Sequence, residues 1–184
     1  DIPAIQALGL AHEQIDAARR SGNKFSELRA QNLLGSYMLV SGDRAGFDQS
    51  ADEEERLQRE LRIVDYWTGL HRALQAQMDG RFGDAERMAL QSFAELQRDA
   101  RENAQQGLAA VIFDVRRHQG RLLEIEPSLK ANAERYPAVP SFQAALAHAY
   151  AEAVDRRSDA AAAFEELAAP GFDNLPSDPI LPFT

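Results

Sequence analysis

Apolar residues recur along the chain at intervals of three and four. From Ile63 they fall at Ile63, Tyr66, Trp67, Leu70, Ala73, Leu74 and Met78, the spacing of a single buried stripe on an α-helix. The same spacing returns at Phe142, Ala145, Leu146, Ala149, Tyr150 and Ala153. Strand-like alternation is hard to find anywhere. Turn-forming residues cut the pattern at Ser21-Gly22-Asn23, Ser41-Gly42-Asp43, Asp79-Gly80, Gln119-Gly120, Pro137 to Pro140 and Asp155 to Ser158. Glycine ends a helix in the left-handed conformation, and a neighbouring Ser or Asp accepts the free amides of the next one. The pattern predicts about nine helices, near residues 3–20, 24–41, 44–58, 62–79, 83–98, 103–118, 121–136, 140–154 and 158–168. Pro127 forfeits a hydrogen bond inside a helix, so the seventh is expected to begin near Glu124 or to bend.

The pieces repeat. Aligning Gly42-Asp43, Gly80-Arg81, Gly120-Arg121 and Asp155-Arg156 gives a period of 35 to 40 residues, with one amphipathic helix before each turn and one after it. The repeat is a helical hairpin. Phe47, Ala85, Ile125 and Ala160 fall on equivalent positions, and Ala51, Ala89, Leu129 and Phe164 follow four residues later. Each pair shares a face that presses on the partner helix. Such hairpins gain stability by stacking on one another. The predicted architecture is therefore an all-α, right-handed α-solenoid of tetratricopeptide-like antiparallel hairpins. About four and a half hairpins span 1–169, and a proline-rich tail over 170–184 is expected to run extended.

Composition narrows the picture. With 45% apolar and 27% charged residues and no apolar run near the ~20 residues that cross a bilayer, the chain reads as soluble, with no membrane contact. A net charge of −9 repels phosphate backbones and argues against direct nucleic-acid contact. Cysteine is absent, which removes disulfide and thiol chemistry and suits a cytoplasmic setting. The chain begins at Asp1 in mid-pattern and is read as a piece of something larger.

Catalytic and cofactor motifs are missing. Residues 80–90 (GRFGDAERMAL) lack the glycine-lysine-hydroxyl order of a phosphate loop, and they follow a helix where that motif follows a strand. His12-Glu13 begins a zinc motif that Asp16 breaks, so no metal is expected. His118 and His148 read as polar helix-face residues. The acidic run at Asp52 to Glu55 reads as a solvated face. The expectation is a protein without catalytic activity or cofactor.

Residues 80–85 (GRFGDA) resemble the turn of a tetratricopeptide repeat. Residues 80–90, 119–129 (QGRLLEIEPSL), 134–140 (ERYPAVP) and 171–178 (GFDNLPSD) are similar to the C-terminal helical repeats of large bacterial ATP-binding regulators, including LuxR-type transcriptional activators and proteins with adenylate-cyclase-like domains. That resemblance implies a sensor or protein-binding arm attached to an ATPase domain.

Aromatic residues supply the candidate binding surface. Tyr37, Tyr66, Trp67, Phe113 and Tyr150 fall on the first helix of a hairpin, the one that lines the concave side of a solenoid; their rings give large contact area at little entropic cost. His71 lies at the edge of the Trp67 stripe, and Arg116 near the end of the sixth helix offers a carboxylate contact. The competing reading is core packing between hairpins, with Arg116 complementing a helix C-terminus. The expected function is a non-catalytic scaffold that binds a protein or peptide, the ATPase domain of its own parent chain included. Alternatives are a small-molecule sensor or a homo-oligomerising module.

Overall fold

Short polar side chains set the helix starts. Asn23, Asp43 and Asp65 each accept a hydrogen bond from the backbone amide three residues on, at 3.0, 2.9 and 3.0 Å, which satisfies an amide that the first helical turn leaves open. The ends are set by glycine. Gly80 has φ +75°, so the Arg81 amide reaches back to the Ala76 carbonyl at 2.8 Å and closes the turn between two antiparallel helices.

The computed structural model describes residues 4–94, 101–169 and 171. Among these the secondary structure is all-helical: α1 (Ala4–Ser21), α2 (Lys24–Val40), α3 (Arg44–Leu61), α4 (Tyr66–Met78), α5 (Phe82–Ala94), α6 (Arg101–His118), α7 (Glu126–Arg135), α8 (Pro140–Glu152) and α9 (Arg157–Ala168), with a 3₁₀ turn at Leu122–Ile125. The chain divides into two compact units, Asp1–Leu108 and Ala109–Thr184. The proline-rich tail, Gly171 apart, lies outside the described residues, as does the end of the helix expected over 83–98.

In the first unit α2 packs on α1 and α3, and α4 on α5, with further contact of α4 against α2 and α3. Phe47, Ala51, Ala85 and Ala89 are fully buried, as the repeat register requires of the α2–α3 and α4–α5 hairpins. Ala11, Ile15, Ala30 and Leu34 form the apolar seam between α1 and α2. A charged clasp closes its end, where buried Glu27 accepts from Arg19 at 2.7 Å and from Lys24 at 3.3 Å. In the second unit α8 packs on α7 and α9 around Phe113, Leu122, Leu129, Leu146, Tyr150 and Ala163.

Two expectations need correction, for the fourth helix and the last hairpin, while Pro127 delays the start of its helix as expected. The fourth helix begins at Tyr66, because Arg62 turns left-handed (φ 54°) and Asp65 caps the next turn; Ile63 therefore lies in the connection. The seventh helix is split, and Pro127 occupies the first turn of α7, where no amide is needed. In the last hairpin Phe164 is 52% exposed while Ala163 is buried, so the inward face there runs one position ahead of the repeat alignment.

Ala85→Trp forces a large ring into a site with no accessible surface. It is expected to lower unfolding free energy by about 2 kcal/mol or more through overpacking, whereas Arg87→Ala on the exposed side of α5 should change it by less than about 0.5 kcal/mol. Urea unfolding of the two variants checks this, and equal tolerance would contradict the hairpin register.

Candidate functional site

Three helices of the first unit meet at a buried acid–base pair. Glu54 on α3 has no accessible surface, and His71 on α4 is 2% exposed. His71 Nδ1 lies 2.9 and 3.1 Å from the two Glu54 oxygens. A carboxylate only accepts, so with Glu54 ionised Nδ1 carries the proton. Phe47 meets the imidazole edge-on at 5.3 Å, so the pair sits in an apolar shell where an unpartnered charge would be costly. From α2, Gly35 supplies the room: a Cβ there would stand 3.1 Å from Glu54 Oε1 and 3.2 Å from the His71 ring. The next residue, Ser36, places its hydroxyl 3.2 Å from His71 Nε2 and 3.0 Å from the Asn32 carbonyl.

Serine, histidine and carboxylate in this order are the elements of a nucleophilic relay. Here Ser36 lies deep inside α2, where backbone amides are spent in the helical ladder and none is left to stabilise an oxyanion. The arrangement reads as a hydrogen-bonded cross-link of α2, α3 and α4.

Over this cross-link opens a cleft of about 280 Å³ lined by Arg29, Asn32, Leu33, Ser36 and Trp67. Positions 29, 32, 33 and 36 share one face of α2. Arg29 is held by the Asp65 carboxylate and over the Phe25 ring at 5.2 Å; burial pushes its guanidinium below the ordinary value, against the raising influence of the Glu54 charge. Leu33 and Trp67 are 37% and 42% exposed. Asn32, which lines the same cleft, is only 6% exposed, and neither its Nδ2 nor its Oδ1 has a hydrogen-bond partner in the protein; the same holds for Arg29 Nε.

Of the residues read from the sequence as a binding surface, Trp67 alone lies at this cleft with its ring exposed. Tyr37 is partly buried against the α1–α2 seam. Tyr66 is buried beside Gly107, and burial pushes its phenol up to about 12 against a hydrogen bond with the Leu108 backbone. His71 is buried as described. Phe113 and Tyr150 belong to the core of the second unit. Tyr66, His71, Phe113 and Tyr150 are thus corrected from groove to interior: each ring removes more water-exposed area by packing between helices than by facing outward. Arg116 is 13% exposed at its side chain and bonds Gln119 at 3.2 Å, a helix-end contact. Among the described residues no cluster of three or more His, Asp or Glu side chains could hold a metal, and no helix is long and apolar enough to cross a membrane.

Arg29, Asn32, Leu33, Ser36 and Glu54 were missed. The one sequence signal was the four-three-four spacing of Phe25, Arg29, Asn32 and Ser36, a polar-aromatic face on a helix from which only Tyr37 was singled out.

Tyr150 anchors a separate polar network in the second unit. Its hydroxyl donates to Glu126 at 3.0 Å, and Arg156 both bonds Glu126 at 3.1 Å and lies 4.4 Å over the Tyr150 ring. The Arg156 and Lys130 hydrogen bonds hold the Glu126 carboxyl at about 2, well below its ordinary 4.5.

His71→Ala leaves Glu54 buried without a partner and is expected to cost about 3 kcal/mol or more in urea unfolding; a loss under about 1 kcal/mol would contradict the cross-link. For Glu126 the folded form takes up its proton less readily than the unfolded chain. Its contribution is therefore complete above the ordinary carboxylate range and fades as pH falls from about 4.5 towards about 2. Glu126→Gln should flatten the acid unfolding of α7 to α9 over that window, followed by NMR of their amides. An unchanged acid profile would contradict the network.

Against known proteins, the sequence matches no protein-family model, no curated protein and no solved structure.

Proposed function

We propose that the chain is a non-catalytic recognition module whose helical hairpins stack as a tetratricopeptide-like solenoid, and that the α2–α4 cleft receives a segment of a protein partner. One observation carries this reading: an exposed tryptophan ring stands beside a buried side-chain amide that has no partner in the protein. Exposed aromatic rings next to desolvated polar groups are the makings of a binding hot spot. At about 280 Å³ the cleft has room for one or two side chains of an extended segment.

The resemblance of residues 80–90 and 119–129 to repeats of bacterial ATP-binding regulators supports a place as the cytoplasmic interaction arm of such a protein, with the parent's ATPase domain as one possible partner. On that reading the partner's segment biases the state of the parent and undergoes no chemical change.

Selection of a displayed random-peptide library on the purified chain is expected to yield sequences whose binding is lost in Trp67→Ala. A library without Trp67-dependent binders would contradict the reading. Incubation with a fluorophosphonate is expected to leave Ser36 unmodified, and a stoichiometric adduct there would overturn the non-catalytic assignment.

A further inference from the structure

We infer that the cleft recognises the main chain of its ligand: the Asn32 carboxamide clamps the N–H and C=O of one residue of an extended, carboxylate-free segment while an apolar side chain of that segment sits between Leu33 and Trp67. The inference rests on the peptide-binding reading above and specifies its chemistry.

Three polar atoms of residues that line the cleft have no protein partner, Asn32 Nδ2, Asn32 Oδ1 and Arg29 Nε. They offer two donor groups and one acceptor. A peptide residue in extended conformation presents the complement on one edge, an N–H for Oδ1 and a carbonyl whose two lone pairs accept from Nδ2 and Nε. A carboxylate also accepts twice, but charge opposes it. The Arg29 guanidinium is already paired with Asp65 and lies within the influence of Glu54, so a further anion would meet two carboxylates against one guanidinium. The neutral amide is what the site accommodates.

Neither atom of the Asn32 amide reaches solvent, and two side chains that line the cleft with it, Leu33 and Trp67, are each more than a third exposed. A ligand gains the amide by shifting those two side chains, and replaces an unsatisfied buried group with a satisfied one. Leaving such a group unpaired destabilises the free protein, so the interaction released on binding is larger than that of an ordinary surface hydrogen bond.

Asn32→Leu keeps the shape and removes the orphan. For a library-selected peptide that needs Trp67, measured through the fluorescence of Trp67, the sole tryptophan, this variant is expected to melt no lower than the wild type yet to bind about tenfold more weakly or worse. N-methylation at one interior backbone position of the peptide should abolish wild-type binding and matter little to the variant. Amidation of the peptide's C-terminus should change nothing. Wild-type affinity in Asn32→Leu, tolerance of N-methylation at every position, or dependence on a free carboxylate would each overturn the inference and leave peptide binding standing. Failure to select any Trp67-dependent peptide would remove both.

Discussion

A glutamate and a histidine that contribute almost no surface to solvent are expensive to fold around, and the first unit is arranged to meet that cost. Glu54 and His71 bond each other from α3 and α4, while Gly35 of α2 lets the covering helix sit close against both. Without the imidazole the carboxylate is a buried, uncompensated charge; a methyl group at position 35 would press on both side chains and make them shift by a few tenths of an ångström. An apolar trio would hold three helices with less constraint on their angles, whereas this pair fixes how α2 and α4 lie together. The cleft inherits that geometry, since its walls are the next residues outward on the same two helices.

The cleft in turn carries an imperfection that folding alone does not explain. Asn32 takes an interior position among helices that supply Ser36 and His71 with partners, yet its own amide has none in the protein. A leucine of similar shape would suit the fold better. Residues that lower stability without local compensation concentrate where a protein does its work, and here the residue lines the same cleft as the exposed Trp67. On α2, Gly35 and Ser36 meet the Glu54–His71 pair, and Arg29, Asn32 and Leu33 line the cleft beside it.

The helices and the α2–α3, α4–α5 and α8–α9 pairings were legible in the sequence because they depend on local rules. Gly42 and Gly80 end helices by their left-handed backbone, and the Phe47/Ala51 and Ala85/Ala89 pairs repeat at the spacing of a helix face. What failed depended on choosing between faces. The α4 sequence carries apolar residues on two adjacent rows, Tyr66, Leu70 and Ala73 on one and Trp67, Leu74 and Met78 on the other; periodicity shows that both exist and not which turns inward. The structure buries the first row and leaves Trp67 and Met78 more than a third exposed. The Glu54–His71 pair was hidden for another reason. Its partners are 17 residues apart, and Glu54 sits in the run Asp52 to Glu55, where charge alone gives no sign of which carboxylate points in. Contact across helices, not composition, selects it.

The junction of α2, α3 and α4 depends most directly on the proton between these two side chains. Nitrogen-15 NMR of the His71 imidazole at neutral pH is expected to find a proton on Nδ1 that exchanges slowly with solvent and whose resonance moves in Glu54→Gln. A ring protonated on Nε2 alone, or an Nδ1 proton in rapid exchange with water, would show that the pair does not hold the three helices and that the cleft above it lacks the support described.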